Sequence, residues 1–407
     1  MPERLPSRAP AFEVASPSEI AAPLLVVYSH LRWDFVWQRP QHLLSRAAKH
    51  YRVLQIEEPM FKPGIQPAME VTSRPGGIRI AVPMLPEGLS HDAVIRAQAD
   101  LVERLLDREP DTSRVFWYYT PMAMAFSGHL DADLVIYDNM DELSLFRGAN
   151  QELLDLEAEL FERADVVFTG GMSLYEAKRN RHRNVHGFPS SIEFDHFVKA
   201  RSLKGQDPSD QAGIAGPRLG FFGVVDERMD IALLGEVAAL RPEWQFVMIG
   251  PVVKIDPATL PKAANIHWLG GKTYQELPRY LAGWDIGFMN FALNEATKFI
   301  SPTKTPEFLA AGVPVVSTPI TDVVRPYGEK GLVEIAKTPL EVVRKVEGLL
   351  ARSAEEREAW LAKVDRHLAA GSWDKTWASM HRLMLDAMGE DSNLERTVPA
   401  AYATPAE

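Results

Sequence analysis

The fold predicted for this chain is decided by residues 301–319, SPTKTPEFLAAGVPVVSTP. Ser301 is a residue type that caps helices, and Pro302 suits a first helical position, where no backbone N–H is needed. The next residues favour a helix as far as Gly312, which suits the left-handed conformation that ends many helices. The run VPVVS that follows is short, β-branched and uncharged, as in a buried parallel strand. The stretch therefore predicts a helix that leads directly into a strand, as in α/β proteins.

The first turn of this predicted helix carries the groups of an anion site. Thr303, Lys304 and the free N–H groups of the turn would face an anion, and Glu307 adds one carboxylate a turn later. Such a set suits a nucleotide diphosphate, with Lys304 and the amides on the phosphates and Glu307 on the ribose hydroxyls. A capped surface helix with solvated charges explains the same residues, so the local pattern leaves both interpretations open.

These residues resemble the donor-site motif of GT-B glycosyltransferases, especially the large retaining family four. In that family a Lys or Arg, a Glu and a helix end of small residues precede G-x-P-V-V, which Lys304, Glu307 and residues 312–316 match. The usual motif has another Glu seven residues before the second, and here that position is Ile300. The resemblance implies an α/β protein of GT-B fold, with two Rossmann-like domains facing each other across a cleft and a C-terminal helix crossing back to the first domain.

Length and composition agree with a globular protein of two domains. The chain has 407 residues, of which 46% are hydrophobic and 24% charged. No apolar run is long enough to span a bilayer, and Met1–Ser18 lacks the apolar centre of a signal peptide, so we expect a cytoplasmic protein. The absence of Cys excludes disulfides and thiolate metal sites, and the net charge of −11 argues against nucleic-acid binding.

The chain begins with a predicted βαβ unit. Leu24–Tyr28 and Val53–Ile56 have the pattern of buried strands, and a helix beginning near Pro40 lies between them. The loop at residues 29–41, SHLRWDFVWQRPQ, then lies at the carboxyl end of a strand, where such sheets bind ligands.

This loop supplies the first predicted acceptor residues, Arg32, Trp37 and Arg39, because exposed aromatic and Arg side chains in a loop favour a stacking or pairing partner. Its W-Q-R-P-Q-H string resembles a subgroup of bacterial GT-B enzymes that have it in place of a Gly-rich first loop. An aromatic lid packed on its own domain is the alternative.

A group of carboxylates follows the predicted strand Leu134–Tyr137, in the run DNMDE at residues 138–142. Crowded carboxylates at a strand end raise a pKa or bind the hydroxyls of a sugar acceptor. Asp141 stands where the resembled family often has a His, so it is a candidate catalytic residue, and Asp138 is placed on the acceptor side. Caps of turns are the alternative for both.

Two further features of the first half bear on its surface. Ser173 follows Gly170 and Gly171 and is the predicted cap of the next helix. The basic run at residues 178–183, KRNRHR, would suit anionic lipid carriers, which leaves peripheral contact with the inner membrane face open. A solvated face is the preferred interpretation of this run.

The second half begins with a predicted strand at Arg218–Phe222 and the loop GVVDERMD at residues 223–230. Gly223 allows close approach of the backbone, and Arg228 would present a fixed cation to a diphosphate. The loop resembles the family's Gly-to-Arg/Lys loop, although the usual Arg directly after the Gly is Val224.

The order N-I-H-W-L-G-G-x-x-Y-x-x-L-P at residues 265–278 matches the family's base-binding region. Backbone groups at Gly270 and Gly271 would read a nucleobase edge, or these glycines only turn the chain. The predicted donor site comprises Gly223, Arg228, Gly250, Gly270, Gly271, Tyr274, Leu277, Thr303, Lys304 and Glu307.

The predicted organisation has five parts. A disordered arm at 1–20 precedes an acceptor domain at 21–200 and a sugar-nucleotide donor domain at 201–371, joined by the polar linker Lys204–Pro217. A helix at 372–388, anchored by Trp373 and Trp377, returns to the first domain, and a flexible tail occupies 389–407.

The leading hypothesis is a hexosyltransferase-like enzyme of bacterial polysaccharide or glycoconjugate synthesis that retains the anomeric configuration. Its substrates would be a UDP- or GDP-linked sugar and a sugar, lipid-linked or other hydroxyl acceptor. Arg228 and Lys304 would stabilise the departing diphosphate without a metal or other cofactor, with Asp141 on the acceptor. The alternatives are a GT-B sugar-nucleotide epimerase, a phosphorylase, for which no convincing pyridoxal-bearing Lys is seen, and a catalytically inactive nucleotide-sugar-binding subunit. The donor sugar, the acceptor and the oligomeric state stay open.

Overall fold

The computed structural model describes residues 22–145 and 149–389. The predicted arm at 1–20 and all of the predicted tail except Gly389 lie outside these residues. Within them the chain forms two sheets that follow one another in sequence, each covered by helices on both faces. Mixed α/β architecture with two parallel sheets was the prediction, and it is confirmed.

The first half of the chain supplies nine strands and six helices among the described residues. They are β1 (Leu24–Ser29), α1 (Arg39–Ala47), β2 (Arg52–Glu57), β3 (Met60–Lys62), β4 (Ala68–Arg74), β5 (Ile78–Pro86), α2 (His91–Leu106), β6 (Arg114–Tyr118), α3 (Met124–Ser127), β7 (Leu134–Asn139), α4 (Gln151–Arg163), β8 (Val166–Thr169), α5 (Met172–Lys178), β9 (Val185–Gly187) and α6 (Phe194–Phe197).

The second half supplies the remaining described strands and helices. They are β10 (Arg218–Phe222), α7 (Ile231–Leu240), β11 (Gln245–Ile249), β12 (Ile266–Trp268), α8 (Leu277–Leu281), β13 (Ile286–Met289), α9 (Lys304–Ala310), β14 (Val315–Ser317), α10 (Thr321–Val323), β15 (Val333–Ile335), α11 (Pro339–Leu350), α12 (Ala354–Leu368) and α13 (Trp373–Ala387).

Both sheets have the doubly wound topology of dinucleotide-binding folds. The second sheet has the order β12-β11-β10-β13-β14-β15, with all pairs parallel. The first has the order β3-β5-β2-β1-β6-β7-β8-β9, and β4 pairs antiparallel with β5. In each sheet the order reverses beside the first strand, between β1 and β6 and between β10 and β13. Ligands bind outside the carboxyl ends of the strands at such a point.

Strand β5 and helix α2 were not predicted from the sequence, although β5 is mostly buried. Strands β3 and β4 were not predicted either. Their residues are mostly exposed, and Met60, Phe61 and Lys62 of β3 are exposed without exception. An exposed ribbon at the edge of a sheet lacks the buried apolar pattern by which strands are found in sequence.

The C-terminal helix α13 packs on the first sheet, as predicted. Trp373 is 1% exposed, and Trp377, Met380 and Met384 join it in one core with residues of β1, β6 and β8. The ring of His42 on α1 stacks on Trp373 at 4.7 Å with an interplanar angle of 8°. The helix before it, α12, packs in the core of the second sheet, so the chain crosses between the sheets just ahead of Trp373.

The chain first crosses from the first sheet to the second sheet before residue 200. Phe197 and Ala200 are buried in the core of the second sheet together with Phe308. By packing, the last residues of the range 21–200 therefore belong with the second sheet. The polar linker after them is also fixed, because buried Gln211 accepts a hydrogen bond from the indole of Trp284 at 2.8 Å.

Two predicted helix caps are wrong. Helix α9 begins at Lys304 with Thr303 at the cap position, two residues later than predicted, and the carbonyl of Ser301 instead accepts a hydrogen bond from the hydroxyl of Ser190 at 2.7 Å. Helix α5 has Gly171 at its cap position, and Ser173 lies inside the helix. At the other end of α9, Gly312 has a φ of +78°, which confirms the predicted left-handed turn.

The basic run at 178–183 is not a purely solvated face, contrary to the preferred interpretation. Lys178 is buried and forms ion pairs with Glu142 at 2.8 Å and Glu157 at 3.1 Å. Arg181 pairs with the same Glu157. The buried carboxylates explain the burial, because a charge leaves water only when it is paired.

A buried ion pair fixes the start of α1 to the end of β7. The guanidinium of Arg39 donates to both oxygens of Asp138, at 2.9 and 3.1 Å, and to the carbonyl oxygen of Phe188 at 2.7 Å. The side chain of Asp138 is 0% exposed. The placement of Asp138 on the acceptor side is therefore wrong. Strand β7 extends two residues further than predicted, so the carboxylate of Asp138 points into the protein interior.

We predict that Asp138→Asn lowers the free energy of unfolding by about 3–5 kcal/mol, because it leaves the charge of Arg39 buried without a counter-charge. Chemical denaturation followed by circular dichroism measures this. Asp131→Asn, at an exposed position just ahead of β7, is the matched control and should stay within about 0.5 kcal/mol of the wild type. Equal stability of the two variants would contradict the assignment.

Candidate active site

A cleft lies between the carboxyl edges of the two sheets. Its volume is about 1100 Å³, at the upper end of the range for ligand sites. From the predicted residues its lining contains Arg32, Trp37, Arg39 and Asp141 on the first-sheet side, and Gly223, Arg228, Gly250, Gly271, Tyr274, Leu277, Thr303, Lys304 and Glu307 on the second-sheet side. Gly270 and Asp138 are absent from the lining.

Two glycines let Lys304 lie on the floor of the cleft. Gly223 has a φ of +137°, and a Cβ atom there would lie 2.7 Å from Cε of Lys304. Gly250 has a φ of +143°, and a Cβ atom there would overlap the carbonyl oxygen of Gly223. The loops after β10 and β11 therefore pack backbone against backbone, and the lysine side chain passes directly over them.

Lys304 and Glu307 lie one turn apart at the start of α9, and burial acts on both. Burial lowers the pKa of the Lys304 ammonium and raises the pKa of the Glu307 carboxyl to about 8, while the attraction between them opposes both shifts. A diphosphate placed beside Lys304 would favour its charged form. Because α9 has only seven residues, its helix dipole is small. Most of the positive charge that a diphosphate would meet here must come from the Lys304 side chain.

Arg228 reaches the same part of the cleft but is not a free cation. Its Nη2 donates to Oδ2 of Asp226 at 2.7 Å, and its Nε donates to Oδ1 at 3.0 Å. This two-point contact holds the guanidinium in one orientation. Two N–H groups of the fork take part, so others stay available to a ligand.

The wall contributed by the first sheet carries Asp141. Its carbonyl oxygen accepts a hydrogen bond from Nδ2 of Asn139 at 3.0 Å, and the same amide donates to the hydroxyl of Tyr137 at 2.7 Å. Tyr137 in turn donates to Glu157, the carboxylate that pairs with Lys178. The buried network fixes the backbone of the loop while the Asp141 side chain faces the cleft.

His30 is a lining residue that the sequence analysis missed. It follows β1 directly, and its Nδ1 atom is buried without a hydrogen-bond partner among the described residues. Burial lowers the pKa of the imidazole, while the charge of Asp141 opposes this shift. The signal was present in the sequence, because His30 lies in the loop already assigned to the ligand edge of the sheet.

The three basic and aromatic residues of that loop have different roles. Arg39 is occupied by Asp138, so it supports the wall rather than an acceptor. Arg32 lies at the edge of the cleft and pairs with Glu57 at 3.1 Å. Trp37 stacks on Tyr274 of the opposite side, with ring centroids 5.7 Å apart, so the aromatic lid packs across the cleft and not only on its own domain.

The predicted base-binding segment is only partly on the cleft. Gly271, Tyr274 and Leu277 line it, whereas Gly270 turns the chain with a φ of +69° and accepts a hydrogen bond from the N–H of Gly250 at 2.9 Å. Tyr274 precedes α8 rather than lying in it, and its hydroxyl donates to Glu193 at 2.9 Å.

No group of three or more His, Cys, Asp or Glu side chains that could hold a metal ion occurs within residues 22–145 and 149–389. In the same residues no helix has both the length and the apolarity required to cross a bilayer.

Comparisons with known sequences identify the second half of the chain. A family model described as "Glycosyl transferase-like" matches residues 228–382, which include Arg228, Lys304 and Glu307. A curated relative, "Putative teichuronic acid biosynthesis glycosyltransferase TuaH" of Bacillus subtilis (strain 168), is 28% identical over 220 residues. The match covers 50% of this chain and 54% of the relative, so it spans about half of each.

Comparisons with solved structures concern the whole fold. Sucrose-phosphate synthase from Thermosynechococcus elongatus superposes with a TM-score of 0.68 at 13% identity, covering 91% of this chain and 100% of that one. The α,α-trehalose 6-phosphate synthase of Burkholderia multivorans gives 0.63 at 13% identity, covering 93% and 100%. A structure from E. coli described as trehalose-6-phosphate bound with UDP-2-fluoro glucose gives 0.63 at 14% identity, covering 90% and 99%.

At these identities the structures establish the fold, and the sequence matches show a similarity to glycosyltransferases over part of the chain. The two facing doubly wound sheets and the returning C-terminal helix give this chain the GT-B fold of those synthases, and its residues 228–382 are similar to the glycosyl transferase-like family.

Proposed function

We propose that the protein transfers a hexose-type sugar from a UDP- or GDP-linked donor to a hydroxyl group of an acceptor, with retention of configuration and without a metal ion. The observation that carries the proposal is the arrangement in the cleft. The half-buried Lys304 and the oriented Arg228 lie on the second-sheet side, and Asp141 and His30 lie on the first-sheet side.

The donor is placed on the second sheet. Burial lowers the pKa of the Lys304 ammonium, and a diphosphate beside Lys304 and Arg228 would raise it again by favouring the charged form. Glu307, on the same face of α9 and 5% exposed, is in position to accept hydrogen bonds from ribose hydroxyls. Gly271 and Leu277, further along the lining, would border the base.

The same two cations act on the leaving group. As the bond between the sugar and the diphosphate breaks, negative charge grows on the phosphate oxygens, and fixed positive groups stabilise that charge. This is why the proposed reaction does not require a metal ion. Retention follows if the acceptor hydroxyl attacks on the leaving-group face, with its proton passing to the departing phosphate or to Asp141.

The acceptor is placed on the first sheet, where Asp141, His30 and Arg32 line the cleft. A carboxylate and a neutral imidazole can orient a hydroxyl group and accept its proton. The relative TuaH is named for teichuronic acid biosynthesis, which supports a polysaccharide or glycoconjugate as the product for this chain.

A panel of UDP- and GDP-linked sugars tests the proposal. Release of UDP or GDP that increases with an added acceptor supports the transferase, and the anomeric configuration of the product tests retention. Interconversion of the nucleotide sugar without release would favour an epimerase. Binding without turnover would favour an inactive subunit, a possibility motivated by Ile300 in place of the usual first Glu.

We predict that Lys304→Met and Glu307→Gln each weaken the binding of the preferred nucleoside diphosphate by about 10- to 100-fold, measured at about pH 9, above the raised pKa of the Glu307 carboxyl. Each change removes a charge-assisted hydrogen bond of about 1.5–3 kcal/mol. Isothermal titration calorimetry with UDP and GDP measures this. Lys298→Met, at an exposed lysine ahead of the same helix, is the matched control and should bind like the wild type. Unchanged affinity in the Lys304 and Glu307 variants would remove them from the donor site.

We predict that Asp141→Asn lowers kcat by about 10²- to 10⁴-fold while nucleotide affinity stays level. The acid limb of the pH profile tests the coupling with His30. Burial already lowers the His30 pKa below its ordinary value, and the Asp141 charge opposes that shift, so its removal should move the acid limb of kcat/KM to lower pH.

The exposed variant Asp131→Asn serves again as the control for this measurement. His30→Gln should abolish any part of the acid limb that belongs to the imidazole. An Asp141→Asn enzyme of full activity, or one whose pH profile does not move, would contradict the role given to these two residues.

A further inference from the structure

A second cavity opens beside the first-sheet side of the cleft. It has a volume of about 320 Å³ and lies between the carboxyl ends of β1, β2 and β6 and the first half of α2. We call it the side cavity. Glu58 lines both the side cavity and the cleft, so the two spaces adjoin at this residue.

The walls of the side cavity are mainly apolar. They include Ile56, Phe61, Val94, Ile95 and Phe126. Polar side chains also line the side cavity, namely Ser29, Glu57, Glu58, His91, Gln98 and Thr120, but the greater part of its surface is apolar, which favours a hydrocarbon chain. Its volume corresponds to roughly ten groups of the size of a water molecule or a methylene.

The mouth of the side cavity is apolar as well. Phe61 lines the cavity and is 47% exposed, and its neighbour Met60 on the edge strand β3 is 46% exposed. Exposed apolar side chains that border a cavity mark a place of contact with an apolar partner. At the inner end, the hydroxyl of Tyr28 is buried without a partner among the described residues.

A group of paired charges lies at the junction with the cleft. Glu57 accepts hydrogen bonds from the N–H of Trp33 at 2.7 Å and from Arg32 at 3.1 Å. Arg32 itself faces the cleft. A ligand that spans the junction would therefore meet charged groups at one end and hydrocarbon at the other.

From this arrangement we propose that the side cavity binds the apolar chain of an amphipathic acceptor, whose hydroxyl-bearing end lies in the cleft near Asp141. The proposal rests on the proposed function, since it places the acceptor relative to the donor. The apolar chain of this acceptor is a prenyl or alkyl group with at least about ten carbon atoms in contact with the walls of the side cavity. A plain sugar acceptor would leave the side cavity empty.

Binding of simple amphiphiles tests the proposal without any donor. Octyl β-D-glucopyranoside, below its micelle concentration, is compared with methyl β-D-glucopyranoside by calorimetry, and farnesyl phosphate forms a second arm with inorganic phosphate as its reference. Each buried methylene strengthens binding by about fourfold, so the chain-bearing probe should bind at least about tenfold more tightly. A preference in the first arm only indicates an alkyl-glycoside type of acceptor, and one in the second arm only a prenyl phosphate. Equal binding in both arms overturns the proposal.

Variants place the chain in the side cavity. Ala125→Trp would fill the space, and Ile95→Asn would put an amide in its wall, so both should remove the preference for the chain. Ala158→Trp, on the exposed face of α4, is the matched control and should keep it. Retention of the preference in both Ala125→Trp and Ile95→Asn, each shown to be folded by its melting curve and nucleotide binding, overturns the assignment.

The outcome is separable from that of the proposed function. An enzyme that turns over nucleotide sugars but shows no chain preference refutes the side cavity alone. A protein that binds the chain in the side cavity but neither binds nor uses nucleotide sugars refutes the transferase alone.

Discussion

The active cleft depends on one constraint, the parallel direction of the strands. Parallel strands bring all the loops that follow them to one edge of a sheet, and here two such edges face each other. Residues as distant in sequence as His30, Asp141, Arg228 and Lys304 therefore line one space. Within it, water is excluded far enough for burial to shift the pKa values of Lys304 and Glu307 in opposite directions.

The sequence predicted elements with a continuous run or a clear periodicity of apolar residues and with typical helix-starting or turn residues at their ends. Strand Arg218–Phe222 has the predicted bounds, and the helix predicted to begin near Pro40 begins at Arg39. Strands β3 and β4 were not predicted because they bury few apolar side chains. The caps at Ser301 and Ser173 were wrong because both residues make contacts with distant parts of the chain, which a local pattern cannot show. The hydroxyl of Ser301 accepts a hydrogen bond from the N–H of Ser190, and the N–H of Ser173 donates to Asp322.

The candidate site shows the same division. Gly223, Lys304 and Glu307 lie in the cleft because local turn and helix geometry determines their direction. Asp138 and Asp141 looked alike in sequence, but an extension of β7 by two residues buries the first against Arg39 and leaves the second at the cleft. Such a pairing joins residues 99 positions apart, and only the fold reveals it. The position of His30 was available in the sequence, but its unpartnered nitrogen was not.

The two crossings between the sheets have a mechanical consequence. The first runs from Phe188 in the core of the first sheet to Ile192 in that of the second, and the return runs from Leu368 to Trp373. The N–H of Trp373 donates to the carbonyl oxygen of Ile192 at 3.3 Å, so the two connections lie side by side. Adjacent connections behave as one hinge with a single axis. A rotation of one sheet against the other about this axis would open the cleft most at the rim farthest from it.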